Sequence, residues 1–300
     1  MISIIIPAYN RVAALKRCIE SVIDQVYVGL EVIVIDDFSK DSTRDYISQV
    51  TMQHSFIKFH YNDQNHGVNY SRNRGIEMAS NPFILFLDSD DELIEGSLIK
   101  IKNVLEEYLL VKHFLFGVSD REVEFKQLAG NKDVQYEDWL NGSVFGDFTH
   151  VVSAKIMKKY LFFEEFRMFE HLNWIRVKKE TSPQLMVALI TTRRERDRTD
   201  SLTTSSKLQS MPVIRSKFES EKMFYSMYHK DLTLYNPGSL TFPLVKTILL
   251  GVACNQKGNS RSLIKYADKK YIKLLSNLLM LLPSSLIKYG IIKYSTIKGV

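Results

Sequence analysis

The sequence predicts an α/β protein: an open, mainly parallel sheet followed by a helical extension. Three observations carry that expectation. Continuous apolar runs rich in β-branched residues, such as 2–7 and 31–35, are what strands covered on both faces look like. Segments of helical spacing separate them. The run FILFL at 83–87 then stops abruptly in Asp88, Asp90 and Asp91, and open parallel sheets gather ligands beyond the carboxyl ends of their strands.

Each element follows in order. The first strand covers 2–7, and Asn10 is placed to cap a helix in which Ala14, Cys18, Val22 and Val26 recur, joined by Leu15 and Ile19. A second strand, 31–35, ends in Asp36 and Asp37. The loop FSKDST then opens a helix with Asp41 or Ser42 as cap and Tyr46, Ile47 and Val50 on its inner face. Residues 57–61 make a third strand, and the polar stretch NDQNHGVNYSRNRG runs into a helix ending near Met78 and Ala79. The fourth strand is 83–87, with Asp91 and Glu92 starting the next helix, whose body is 98–110. Segments 113–118 and 123–128 read as two more strands, 135–180 as short helices and loops, and 185–192 as a late strand. Beyond about residue 205 the composition turns to helices rich in Lys, Leu, Tyr and Ser.

Composition narrows the function classes. With 45% hydrophobic and 25% charged residues in 300, the chain has enough apolar content for a large core, which excludes a disordered protein. Cys18 and Cys254 stand far apart in no metal-type spacing, so neither a disulfide framework nor a thiolate metal site is expected. The net charge of +6 is uneven: residues 241–300 hold ten Lys or Arg and one acid, Asp268. Those lysines alternate with Leu and Ile around 271–294, which suits an anionic membrane surface better than a nucleic-acid groove. A helical hairpin packed on the protein or on a second subunit, in a homo-oligomer, is the competing reading. The opening ISIII is too short for a secretory core, and no apolar run reaches the roughly 20 residues of a membrane span. The expected location is cytoplasmic, at the inner face of the cell membrane.

The three acids at 88–91 carry the chemistry. Carboxylates this close repel one another and resist desolvation, and a divalent cation shared with a diphosphate relieves both. Oxygen ligands of this kind suit Mn²⁺ or Mg²⁺.

The ordered set SIIIPAYNR (3–11), CIESVIDQ (18–25), EVIVIDDFSKDST (31–43), NHGVNYSRNRGIEMA (65–79) and FILFLDSDDEL (83–93) resembles the family 2 inverting glycosyltransferases of bacterial surface-polysaccharide type. That resemblance implies a GT-A fold, a Rossmann-like nucleotide-binding sheet. It divides the chain into a catalytic domain, 1–205, and a C-terminal extension, 206–300. Within the domain, 1–110 would bind the nucleotide-sugar and 111–205 the acceptor. The implied reaction is metal-dependent transfer of a hexosyl or N-acetylhexosaminyl group from a nucleotide-sugar, a UDP-sugar first, to a hydroxyl of a glycan or lipid-linked acceptor.

The same resemblance assigns residues. Pro7 fixes the strand exit and Tyr9 offers a ring to the base, with Asn10 beside it. Asp36 accepts from a base N–H, while Asp37 is free to cap the following loop. Gly67 permits close approach, and Arg72, with Asn73, lies under the donor; pairing of Arg72 with Asp88 or Asp37 is the other reading, and the two are compatible. Asp88 and Ser89 reach the ribose or the metal's water shell, and Asp90, with Asp88, holds the cation. The catalytic base falls in RMFEHLNWIRV (167–177). With Trp174 setting the register the base is Glu170; with the acid pair setting it, His171. In the loop TTRRERDRTDSLTTSS (191–206), Arg196, Arg198 and Ser201 match positions near the diphosphate and acceptor. The Glu-His pair in place of the family's Glu-Asp leaves a non-catalytic nucleotide-sugar-binding scaffold as the alternative. A nucleotidyltransferase would need a Gly-rich phosphate loop after the first strand, and PAYNRVAAL is not one.

Overall fold

A computed structural model describes residues 1–166, 169–195, 210–236, 241–267 and 269–298. The described chain divides into two compact units. The first comprises Met1–Tyr136, Val144–Arg167 and Asn173–Asp197; the second comprises Glu137–Ser143, Met168–Leu172 and Arg198–Val300. The sequence boundary near 205 thus has two outliers, since short pieces on either side of residue 150 belong with the C-terminal helices.

The first unit opens as expected, with β1 (Ile2–Ala8), α1 (Val12–Ile23), β2 (Glu31–Asp36), α2 (Thr43–Gln53), β3 (Ile57–Tyr61), α3 (Val68–Met78) and β4 (Phe83–Phe86). It continues through β5 (Glu92–Leu93), α4 (Ser97–Glu107), β6 (His113–Val118), α5 (Glu122–Lys126) and β7 (Lys132–Val134). Helix α6 (Tyr136–Leu140) leads to β8 (Thr149–Ser153), α7 (Ala154–Lys159), α8 (His171–Glu180) and β9 (Gln184–Arg193). The strands form one sheet in the order β3-β2-β1-β4-β8-β6-β9-β5, with β7 against β9. Strands β3, β2, β1 and β4 are parallel, and β8 pairs antiparallel with β4.

Alternation along β1 explains why the run is wholly apolar. Ile2, Ile4 and Ile6 join the core beneath α1 and α2, with Leu15, Ile19, Ile47 and Val50, while Ile5 joins Ile33, Ile35 and Ile76 on the other face. Gly75 lets α3 lie close on that face, since a Cβ there would sit 2.4 Å from the Ile5 methyl. At the end of the sheet away from the acids, buried Glu31 accepts from Ser3 and from the backbone and hydroxyl of Ser80, and pairs with Lys58.

Five local expectations are corrected. Val26 is outside α1 and half exposed, because the helix ends at Ile23. Asn10 does not cap α1: its backbone is left-handed, at φ 48°, and its side chain accepts from Lys40 N–H instead. Residues 123–128 form no strand: α5 takes them as far as Lys126, with Phe125 buried against Gly117 and Val123 73% exposed. The alternation of Val123 and Phe125 imitated a strand, but one buried ring in a single helical turn satisfies it. Glu92 and Leu93 also form no helix, pairing as β5 with Arg193 and Thr192 of β9. Strand β8, in the region read as helices and loops, is the element that joins the two halves of the sheet.

The second unit is helical, with α9 (Met211–Tyr235), α10 (Thr241–Ala253), α11 (Lys257–Leu263), α12 (Lys270–Leu279) and α13 (Ser284–Lys298). Among the described residues no single helix is long and apolar enough to cross a membrane.

Candidate active site

The carboxyl ends of β1, β2 and β4 meet along one edge, and a chain of polar contacts ties them together. Asn10 N–H donates to Ser39 Oγ at 2.9 Å, and Ser39 N–H in turn donates to the Asp36 carboxylate. Asp36 is fully buried and also pairs with Arg44 Nη2 at 3.3 Å. Its neighbour Asp37 accepts from Gly67 N–H at 2.7 Å, His66 N–H at 2.9 Å and Asn62 Nδ2 at 2.8 Å. Asp37 therefore anchors the loop that enters α3, rather than capping the loop that directly follows it. Gly67 stands at φ 94°, a left-handed conformation that favours glycine, and its N–H points back at Asp37. Tyr9 leaves β1 with its ring partly exposed.

The acidic turn follows β4 directly. Arg72 of α3 is buried and donates to Asp88 Oδ1 at 2.8 Å, so the ion-pair reading of Arg72 holds. Arg11, just past β1, donates to Asp90 Oδ2 at 3.0 Å. Ser89 is buried in the turn, and Asp91 N–H closes it on the Asp88 carbonyl at 2.9 Å. Cys18 of α1 lies beneath, its thiol pushed up by burial and then by the charges of Asp91, Asp90 and Asp88. Its Sγ contacts the Asp88 carbonyl, so it is a core thiol of the turn.

Electrostatics separate the three acids. Burial pushes Asp88 up, but the Arg72 guanidinium, helped by Arg194 and Arg11, holds its carboxyl below the usual range. Burial and the Asp88 charge push Asp91 up to about 8, against the pull of Arg194. A proton on Asp91 would ease the repulsion among the three crowded carboxyls. Mg²⁺ or Mn²⁺ takes one or two carboxylates from a protein when substrate phosphates supply further ligands, and Asp88 and Asp90, side by side on one turn, fit that demand. Among the described residues no group of three His, Cys, Asp or Glu converges as a metal site.

Beyond the turn, β9 delivers Arg194 to three acids, with Asp147 at 2.7 Å, Asp120 at 3.5 Å and Asp91 at 3.7 Å. Helix α3 also reaches past the sheet. Asn73 Nδ2 donates to the Phe162 carbonyl and Glu164, its Oδ1 accepts from Phe162 N–H, and Asn69 Nδ2 donates to the carbonyls of Phe163 and Phe166. Asn73, placed under the donor by the resemblance, spends its side chain on this loop.

Glu170 is partly buried, immediately before α8, and His171 opens that helix with its ring edge-on to Phe224 at 5.6 Å. Both belong to the second unit. Arg196, Arg198 and Ser201 lie outside the described residues.

Further along α8, Trp174 stacks on His150 of β8 at 3.9 Å, and His150 Nδ1 is 2.8 Å from His113 Nε2, whose Nδ1 meets Thr181 Oγ1 at 3.1 Å. Burial, with Lys178 nearby, pushes His113 down to about 3, and burial with His113 pushes His150 down as well. Both rings are neutral when folded, while unfolded histidines take up protons below about pH 6.5. Their contribution is therefore complete above pH 6.5 and is lost as pH falls toward 3. Urea titrations at pH 7 and pH 4.5 should show wild type losing about 2 kcal/mol more than His113→Gln over that interval. Equal losses would refute the assignment.

A family model described as Glycosyl transferase family 2 matches residues 3–161, more than half of the chain and the whole of the acidic sheet edge. The chain belongs to glycosyl transferase family 2. A Campylobacter jejuni relative, GalNAc(5)-diNAcBac-PP-undecaprenol beta-1,3-glucosyltransferase, is 31% identical over 191 residues, 60% of this chain and 60% of its own. The chain spans between 60% and 64% of the first curated relatives it matches. Among solved structures, S. aureus TarS 1-349 in complex with UDP superposes with a TM-score of 0.60 at 14% identity, over 100% of this chain and 92% of that one. The mannosyltransferase PcManGT from Pyrobaculum calidifontis, in complex with GDP-Man and Mn²⁺, gives 0.58 at 11% identity, over 99% and 86%. These likenesses establish the GT-A fold.

Within this family 2 chain, sequence reasoning missed Arg11 and Arg194 as partners of the acids. Arg11 stood inside a quoted motif, and only its 3.0 Å pairing with Asp90, 79 positions away, reveals its role. Arg194 was one of four arginines in six residues, with nothing in their order to single it out.

Proposed function

We propose that this family 2 chain is a metal-dependent, inverting glycosyltransferase that moves a sugar from a UDP-sugar to a hydroxyl of a lipid-linked glycan in surface-polysaccharide synthesis. The observation that carries the reading is the turn at 88–91, where Asp88 is held ionised by Arg72 and Asp90 is held by Arg11 at the carboxyl end of β4. A glucosyltransferase named for an undecaprenol diphosphate-linked glycan is among the relatives, and one structural neighbour holds UDP and another GDP-Man with Mn²⁺.

In this reading Tyr9 stacks on the base, Pro7 and Asn10 shape the β1 exit around it, and the Asp36 loop closes the base end. Gly67 lets the backbone approach the donor. Asp88 and Asp90 would hold the cation, which supplies charge neutralisation for the departing diphosphate. Arg72 lies under the donor and pairs with Asp88, Arg11 pairs with Asp90, and Ser89 packs inside the turn. Arg196, Arg198 and Ser201 are proposed to contact the diphosphate and acceptor. Glu170 takes the proton of the incoming hydroxyl. His171 is the less favoured base, because its ring packs on Phe224. Residues 241–300 are proposed to keep the enzyme at the inner face of the membrane, where a lipid-linked acceptor resides.

Thermal unfolding with UDP-, GDP- and dTDP-sugars, each with and without Mn²⁺, tests the reading, because a ligand that binds only the folded state raises the melting temperature. A rise of several degrees confined to one UDP-sugar with Mn²⁺, and transfer from that sugar, is the expected result. Absence of any rise across the panel would refute it, and binding without transfer would favour the scaffold.

A further inference from the structure

Helix α12 is amphipathic in the reverse sense. Its buried stripe is Ile272, Ser276 and Met280, while Tyr271, Leu274, Leu275 and Leu278 point outward. A surface helix of a soluble protein ordinarily turns its leucines in and its serines out. Here Ser276 is fully buried, whereas Leu274 is 64% exposed, Leu278 53% and Leu281, just beyond the helix, 78%. Helix α13 meets α12 at 104° and adds exposed Leu286 and Tyr289. Lys270 and Lys273 flank the apolar stripe, and Lys288 and Lys293 stand exposed on α13. No acid occurs anywhere from 269 to 298.

We propose that the α12–α13 elbow is a docking face for an anionic lipid bilayer, entering one leaflet without crossing it. Length decides against a span. Ten residues of α12 rise about 15 Å, half of a hydrocarbon core of about 30 Å, and the bend at its end prevents α13 from continuing the same line. Charge decides the partner. An isologous contact with a second copy would bring the same unbalanced lysines face to face, whereas phosphate headgroups neutralise them above a buried leucine stripe. Tyr271 and Tyr289 sit where an interfacial belt places its amphipathic rings, with Lys269 and Lys293 over them. The proposal specifies the membrane contact of the proposed function and rests on that reading for the location of the acceptor.

Co-sedimentation of the full chain with vesicles, in the absence of donor, tests it. Binding to vesicles containing phosphatidylglycerol is expected at low salt, with at least tenfold weaker binding to pure phosphatidylcholine. L274D/L278D should lose at least tenfold on the anionic vesicles, and K270E/K273E/K288E/K293E should abolish the preference for them. Circular dichroism and the melting shift with UDP and Mn²⁺ check that both variants stay folded. Wild-type indifference to anionic vesicles would overturn the proposal, as would a wild-type dimer in sedimentation velocity that L274D/L278D converts to monomer. Vesicle binding lost while transfer to a soluble acceptor persists isolates failure of the docking face. The reverse outcome isolates failure of the catalytic reading.

Discussion

Asp90→Ala is expected to lower transfer at least 10³-fold and to remove its dependence on added Mn²⁺, while the protein stays folded. The size follows from what the side chain would do, since a group that fixes a cation on the departing diphosphate acts where charge develops most. The fold should tolerate the change. Asp90 sits on a turn, partly exposed, and its ion pair with Arg11 is of a kind that contributes about 1 kcal/mol or less. The variant should also lose the part of the UDP melting shift that needs metal. Full Mn²⁺-stimulated activity in Asp90→Ala would remove the turn from the chemistry and with it the proposed function.

Glu170→Gln should reduce turnover by about 10²- to 10⁴-fold, the range a positioned general base supplies, with donor binding unchanged. Glutamine keeps the size and the hydrogen-bonding reach but accepts no proton. The informative comparison is with His171→Gln. If Glu170 is the base, that second variant keeps most of the rate, since its ring packs edge-on against Phe224. Normal turnover in Glu170→Gln together with loss in His171→Gln would reassign the base. Donor affinity, measured separately by thermal shift, distinguishes loss of the base from loss of the site.

Much of the donor half was legible because its signals are local. A strand buried on both faces must be apolar throughout, so β1, β2 and β4 announce themselves, and the residues that follow them are at the carboxyl edge by necessity. Pattern failed where one local rule imitated another. Val123 and Phe125 alternate like a strand, yet one buried ring anchors a helical turn. Strand β8 went unseen because THVVS is short and carries a histidine, which a strand pairs with buried His113 but a sequence scan reads as polar.

By itself the sequence determined the β-α order as far as β4, the clustering of acids at 88–91, the family, and the basic charge of the C-terminal segment. Those properties depend on neighbours along the chain and survive any arrangement of the rest. Only the tertiary structure decided which acid meets which arginine. Arg72 meets Asp88 from 16 positions away, Arg11 meets Asp90 from 79, and Arg194 reaches Asp91 because β9 pairs with β5 beside it. The outward turn of the α12 leucines was likewise invisible beforehand. Helical periodicity defines a stripe, but packing alone chooses which side of the helix faces the core.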